Sequence, residues 1–184
     1  MKLQIKVSDN IQLQLTALHH AEGLLQAVNE NREHLSAFLP WVPNMQTVED
    51  FENYIRNCQA LIEEKKELSF VIFYNNAIVG RIGLHYMNLR DKNASIGYWL
   101  AKSAEGKGII IQSCKAIIDY GFNELGLQRI EIKAATANQR SRAIPLKLGF
   151  TEEGILRQAE LVKGEFLDIV LFSMLKNEWN KTTR

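Results

Sequence analysis

At 184 residues and 21.0 kDa, with 46% of positions apolar and 23% charged, the chain is sized for one core, and we expect a single domain over 1–184. That apolar content with 9% aromatics excludes disorder, and 22 basic against 21 acidic residues argue against a protein that coats nucleic acid or an anionic membrane. No apolar run approaches the roughly 18 residues of a membrane span, the start lacks the apolar core of a signal peptide, and Cys58 and Cys114 form no C-x-x-C pair, so a reduced, cytoplasmic protein is expected.

In chain order, Gln12-Leu-Gln-Leu-Thr alternates polar and apolar residues and predicts a strand. From about His20 to Leu39 the spacing becomes helical, with Leu24, Leu25, Val28 and Leu35 on one stripe, until Pro40-Trp41-Val42-Pro43 stops it. Thr47 predicts the cap of a second helix running to Lys66, which buries Phe51, Tyr54, Ile55, Cys58 and Ile62. Leu68 to Tyr74, the Asn75-Asn76 turn and Ile78 to Leu84 predict a hairpin, and Ala94 to Leu100 a further strand. Gly106-Lys107-Gly108 leads into a helix with Ile110, Cys114, Ile117, Ile118, Phe122 and Leu125 at offsets of three and four, ending at Gly126. Arg129 to Ala135 is a strand and Ser141 to Leu148 a short helix; Thr151 to Val162 and Phe166 to Leu175 close the chain as a hairpin around Lys163-Gly164. The order predicts an α+β fold, with a mixed sheet, antiparallel at its start, and one strand–helix–strand crossover.

The chemically informative segment runs from Trp99 through Gly106-Lys107-Gly108 to Ile110: a strand, a glycine-containing loop and a helix N-terminus. Unpaired N–H groups and the helix dipole there suit phosphate oxygens, and glycine lets backbone approach a ligand closely. The same residues also suit a plain strand–helix turn that needs positive φ. The Lys-Ser/Thr pair of a P-loop and the third glycine of a dinucleotide fingerprint are both missing.

After the next strand comes Asn138-Gln-Arg-Ser141-Arg142, and then Leu148-Gly149-Phe150. Here the chain resembles the GNAT N-acetyltransferases, which carry a Q/R-x-x-G-x-G/A loop, an N-x-x-S/A segment and a helix ending in L-G-F. Gly97-Tyr-Trp-Leu, Glu105-Gly-Lys-Gly, Glu153-Gly-Ile-Leu-Arg and Glu178-Trp179 look like the RimJ/RimL branch, whose members acetylate N-terminal amines of ribosomal proteins. Two positions depart from the wider pattern. Ser103 stands where the loop has Gln or Arg, and Pro145 stands four residues before Gly149, where many members carry a tyrosine acid.

The resemblance implies a GNAT fold (α+β, also described as α/β): a central mixed, mostly antiparallel, splayed β-sheet flanked by helices. It implies acetyl-CoA as cosubstrate, no metal, and direct transfer to a primary amine in a ternary complex. The pantetheine arm would pair with backbone of Leu100, Ala101 and Lys102 and with Asn138, and the pyrophosphate would lie on the amides of Glu105, Gly106, Lys107, Gly108, Ile109 and Ile110. Lys102, Lys107 and Arg142 are candidates to neutralise phosphate, or ordinary solvated side chains. Glu160 would be the general base; its alternatives are an exposed strand carboxylate or a partner for Arg157. Ser141 would be the acid, or the N-cap of its helix, or both. An N–H near Leu100 or Ala101 would hold the oxyanion. Trp41 would wall an acceptor groove, or pack on its own helices.

His19, His20, His34 and His85 have no metal-ligand spacing, and Cys114 sits on an apolar stripe. A ribosomal-protein N-terminus is the expected acceptor. A polyamine or antibiotic amine and a non-catalytic CoA sensor are the alternatives, the first kept open by the acidic face of Glu49, Asp50, Glu52, Glu63, Glu64 and Glu67. No direct nucleic-acid or membrane partner is expected; the edge strands and the closing hairpin leave a homodimer open.

Overall fold

The structure, a computed structural model, describes residues 3–182. Its strands are β1 (Gln4–Lys6), β2 (Ile11–Leu15), β3 (Leu68–Tyr74), β4 (Ala77–Asn88), β5 (Asn93–Leu100), β6 (Arg129–Ala135), β7 (Thr151–Val162) and β8 (Glu165–Leu175). They form one sheet in the order β1-β2-β3-β4-β5-β6-β8-β7. Every pairing is antiparallel except β5 with β6. That parallel step is the expected crossover, made through α4 (Ile109–Asn123). The other helices are α1 (Ala21–Asn29), α2 (Arg32–Ser36), α3 (Val48–Glu63), α5 (Gln139–Lys147) and α6 (Lys176–Thr182). No described helix is long and apolar enough to cross a membrane.

Strand alternation divides the core into two layers. Ile82, Leu84, Ile96, Ile130, Ile132 and Phe172 pack on one face against Ile110, Cys114, Ile117 and Phe122 of α4. Val71 and Trp99 face the other way, against Leu24 and Val28 of α1 and Phe51 and Ile55 of α3. Each fully buried side chain contributes about 1.5–3 kcal/mol of hydrophobic free energy. Thr47 caps α3 as expected: its Oγ1 accepts the Asp50 N–H at 3.1 Å, while Asp50 accepts the Thr47 N–H at 2.8 Å.

Four features depart from the sequence expectation. The helix predicted from His20 to Leu39 breaks at Asn31, whose φ of −129° is not helical. The Asn31 side chain donates to the Ala27 carbonyl at 2.8 Å and so competes with the helix ladder. The short β1 lies outside the expected strands, although Leu3, Ile5 and Val7 alternate with Gln4 and Lys6 and pack on the core, and the second helix stops at Glu63, because Lys65 turns to positive φ. Finally, β7 bulges: Leu156 faces Ile169 and Glu160 faces Leu167, so Arg157, Gln158 and Ala159 stand opposite Asp168 alone.

Candidate active site

A gap opens in the middle of the sheet. β5 and β6 pair only from Asn93–Arg129 to Ile96–Ile132. Beyond that point β5 follows β4, as far as Leu100 opposite Gly80, while β6 follows β8, as far as Ala135 opposite Ile169. Gly97 to Leu100 therefore presents an unpaired edge toward β6.

The polarity of that edge follows from the ladder. Ala101 N–H donates to the Val79 carbonyl at 2.7 Å. Residues 79 and 101 are thus a hydrogen-bonded antiparallel pair, and Gly80–Leu100 is the non-bonded pair next to it. Alternation then turns the N–H and C=O of Tyr98 and Leu100 into the gap. Of the stretch Leu100, Ala101 and Lys102, Leu100 is the residue whose N–H is available there. Ala101 is committed to β4, and Lys102 N–H donates to Asn31 Oδ1 at 2.8 Å.

Past the gap the chain makes a 3-10 turn, Lys102–Ala104, in which Glu105 N–H is used by the Lys102 carbonyl at 3.2 Å. Gly106 and Gly108 follow at φ of +76° and +71°, and Gly108 is the N-cap of α4. A Cβ at Gly106 would meet nothing within 4 Å, so the loop is open on that side. The amides of Gly106, Lys107 and Gly108 donate to no described backbone group, and those of Ile109 and Ile110 lie in the first turn of the helix. Five successive amides, Gly106 to Ile110, are thus free for an anion. Lys107 Nζ sits 5.1 Å from the centroid of the Tyr74 ring, which anchors the loop to β3.

Across the gap stands α5. Its N-cap is Asn138, whose Oδ1 accepts the Ser141 N–H at 3.0 Å. Ser141 is therefore not the cap, and Asn138 keeps its Nδ2 donors for a ligand. Tyr98 from β5 reaches α5 directly: its hydroxyl donates to the Ser141 carbonyl at 3.1 Å and lies 3.3 Å from Ser141 Oγ. Burial pushes the Tyr98 phenol well above the ordinary tyrosine range, so it remains protonated. Arg142 turns away from the loop, donating to the Thr136 carbonyl at 3.1 Å with Glu152 at 3.9 Å. The guanidinium that reaches the loop belongs to Arg140, which pairs with Glu105 Oε2. His34 Nε2 of α2 lies 3.3 Å from the other oxygen, Oε1.

Glu160 lies on the edge strand β7 and is exposed. Partial burial raises its pKa above the ordinary glutamate value. The register runs from Leu167 along β8 to Ser173, then across Glu131 to Ser95 and along β5 to Trp99. It puts Glu160 on the sheet face of Trp99, opposite the face that carries Ser141. The bulge that sets its position is tied to the site. Asp168 Oδ1 accepts Gln158 N–H at 2.7 Å, and the Asp168 carbonyl accepts Thr136 N–H at 2.9 Å at the end of β6. Beside it is an open hollow of about 750 Å³ lined by Ile155, Leu156, Arg157, Gln158 and Asp168. Trp41 is half-buried, its ring 6.2 Å from that of Trp99 at 52°. Cys114 is fully buried in the core, where desolvation holds its thiol protonated.

The arrangement offers a slot for an extended amide-bearing chain, an anion cradle at one end, and hydroxyl and carboxyl groups on opposite faces. Tyr98 stands within a sequence motif that gives it no role, and nothing in the local pattern singles out Asn31, Arg140 or His34. The partners of these four lie 35 to 71 residues away in the chain, where no local spacing can show them.

Comparison with known proteins agrees with this geometry. Residues 11–151 match the acetyltransferase (GNAT) domain family. The chain is 35% identical over 175 residues to a putative ribosomal N-acetyltransferase, YdaF, of Bacillus subtilis (strain 168), covering 95% of this chain and 96% of that one. It is 32% identical over 171 residues to the ribosomal-protein-serine acetyltransferase of Escherichia coli (strain K12), covering 93% and 96%. A solved structure of the ribosomal L7/L12 alpha-N-protein acetyltransferase RimL, in complex with coenzyme A, superposes with a TM-score of 0.91 at 28% identity over 94% of this chain and 98% of that one.

Proposed function

The chain belongs to the GNAT acetyltransferase family, and from that premise we propose that it acetylates the N-terminal α-amine of a ribosomal protein, using acetyl-CoA, by direct attack in a ternary complex. The observation that carries the reading is the gap between β5 and β6, which ends at five unpaired amides from Gly106 to Ile110. The inward-facing backbone of Tyr98 and Leu100 and the Asn138 amide suit the pantetheine arm, and the amide cradle suits the pyrophosphate. The relatives named for ribosomal-protein acetylation, matched over nearly the whole chain, support the acceptor class.

When bound, acetyl-CoA supplies an activated thioester carbonyl. The α-amine of a peptide has a pKa near 8, so a modest base suffices to make it neutral. Glu160, on the face of Trp99, takes that proton directly or through water. The Leu100 N–H, turned into the gap, stabilises developing negative charge on the carbonyl oxygen. Ser141 Oγ gives a proton to the departing sulfur and recovers one from solvent, while Tyr98, donating to the Ser141 carbonyl at 3.1 Å, holds the residue in place. Trp41 and the open hollow beside the β7 bulge leave room for a chain that extends away from its amine.

The test is a release assay for free thiol with acetyl-CoA and a panel of amines. Peptides with a free Ser or Ala terminus, copied from ribosomal protein termini, should react faster than spermidine or a lysine side chain. Should spermidine show a tenfold higher kcat/KM, the acceptor is a small amine; with no turnover on any amine, the chain is a binding protein.

A further inference from the structure

Glu105 is a carboxylate placed where the loop is otherwise built for anions. It directly precedes Gly106, the first of the free amides, and no acidic residue stands in the first turn of α4. Its two oxygens are claimed by two basic groups from opposite faces of the sheet. Oε1 lies 3.3 Å from His34 Nε2 of α2, and α2 packs through Leu35 into the layer of α1 and α3. Oε2 pairs with Arg140 at the start of α5, which packs through Ile144 into the layer of α4. The Glu105 side chain is about three-quarters buried, so it is held in place, whereas Arg140 is 73% exposed and free to turn. A carboxylate shared by a guanidinium and an imidazole has the donor arrangement of a phosphate oxygen pair.

Resting on the acetyl-CoA reading above, we propose that Arg140 and His34 are ligands of the phosphates of coenzyme A, and that Glu105 holds their place until the cosubstrate arrives and competes with it. A phosphate on the amides from Gly106 onward comes within the roughly 8 Å screening length of the Glu105 carboxylate, so like charges oppose binding. Arg140 offsets this by moving from the carboxylate to the phosphate, a short swing for a side chain with one end fixed at the mouth of the gap. The bridge also spans that mouth, from the loop to α5, so insertion of the pantetheine arm and release of Arg140 are one event. Arg142 is engaged away from the loop, with Thr136 and Glu152, whereas the partner of Arg140 is the loop carboxylate itself, which leaves the phosphate role to Arg140.

The experiment is calorimetric titration of the full-length protein with coenzyme A at two salt concentrations, using wild type, Glu105→Gln, Glu105→Ala, Arg140→Gln and the Glu105→Gln/Arg140→Gln double variant. Both Glu105 variants should bind about fivefold more tightly than wild type, and Arg140→Gln about fivefold more weakly with a shallower salt dependence. The double variant should return close to wild type. Dephospho-CoA assigns the contact: a loss in Arg140→Gln that persists puts Arg140 on the pyrophosphate, and one that vanishes puts it on the 3′-phosphate. Unchanged or weaker binding by both Glu105 variants overturns the inference while leaving the cosubstrate reading intact. Wild type that binds no coenzyme A overturns both.

Discussion

The Tyr98 hydroxyl donates to the main-chain carbonyl of Ser141 and lies 3.3 Å from its Oγ, joining β5 to α5 beside the gap where β5 and β6 part. If Ser141 is the acid that releases the thiolate, Ser141→Ala lowers kcat about 10²-fold and leaves acetyl-CoA affinity within about twofold. Tyr98→Phe removes the positioning hydroxyl but keeps the ring, so a smaller loss in kcat is expected with KM for acetyl-CoA unchanged. Steady-state kinetics with calorimetry on both variants decides it; wild-type kcat in Ser141→Ala would remove the acid assignment.

The base makes a separate, pH-resolved expectation. Burial raises the pKa of Glu160 above the ordinary glutamate value, so the proton-accepting form is lost at a higher pH than for a solvated carboxylate. The rate should rise with pH as Glu160 ionises. Glu160→Gln should lower kcat about 10²-fold and abolish that limb of the profile, with acetyl-CoA binding intact. Full activity of Glu160→Gln at pH 7 would return the residue to a structural role.

These residues also show what a sequence discloses. Asn138 and Ser141 are recognisable as a motif, yet which of them caps α5 depends on one 3.0 Å bond from the Ser141 N–H to Asn138 Oδ1. The periods of Leu24 and Val28, and of Ile110 to Phe122, name the buried helix faces correctly because burial is periodic in the chain. Asn31 breaks the first helix, and the partner of its Oδ1 lies 71 residues later, at the Lys102 N–H. The bulge opposite Asp168 is equally silent, since Gln158 takes positive φ without a glycine to announce it. Local rules carry the elements and the anion loop; the long-range polar contacts that shape the gap have no local signature.

Gly108 supplies a prediction on binding. At φ of +71° it caps α4 in the left-handed region, a backbone conformation that residues with a Cβ rarely adopt. Gly108→Val forces a β-branched residue into that conformation and turns the amide cradle. Coenzyme A affinity should fall at least tenfold, or about 1.4 kcal/mol, in calorimetry on the folded variant. Unchanged affinity would move the phosphates off this loop.

A stability prediction comes from the far side of the sheet. The Arg129 guanidinium spans β8 to reach Glu153 at 2.6 Å, and Ser173 Oγ donates to the same carboxylate at 2.6 Å. These bonds, Arg129 first and Ser173 second, hold the Glu153 pKa at about 2 against a reference of 4.5. A depressed carboxylate stabilises the fold at pH above its unfolded value and loses that contribution as pH falls toward the folded one. The pair is partly solvated, so Glu153→Gln should cost only about 1 kcal/mol at pH 7. Urea titrations of wild type and variant should converge as pH is lowered from 4.5 toward 2. A gap that stays constant over that range would mean the charge contributes nothing.

The last prediction concerns the acceptor wall. Trp41 leans on Trp99, with ring centroids 6.2 Å apart, and Trp99 belongs to the strand whose inward-facing Tyr98 and Leu100 line the gap. Trp99 is 7% exposed and fixed in the core, while Trp41 is half-buried and leaves part of its ring to a ligand. A peptide terminus must lie against some apolar surface as its chain leaves the site, and large aromatic surfaces dominate such contacts. Trp41→Ala should therefore raise the KM for an N-terminal Ser or Ala peptide several-fold, with KM for acetyl-CoA nearly unchanged because the slot lies on the β5–α5 side. Spermidine, which makes little use of an apolar wall, should lose less. An equal loss for peptide and spermidine would reassign Trp41 to packing of the α2–α3 connection, and an altered KM for acetyl-CoA alone would place it on the cosubstrate side of the gap.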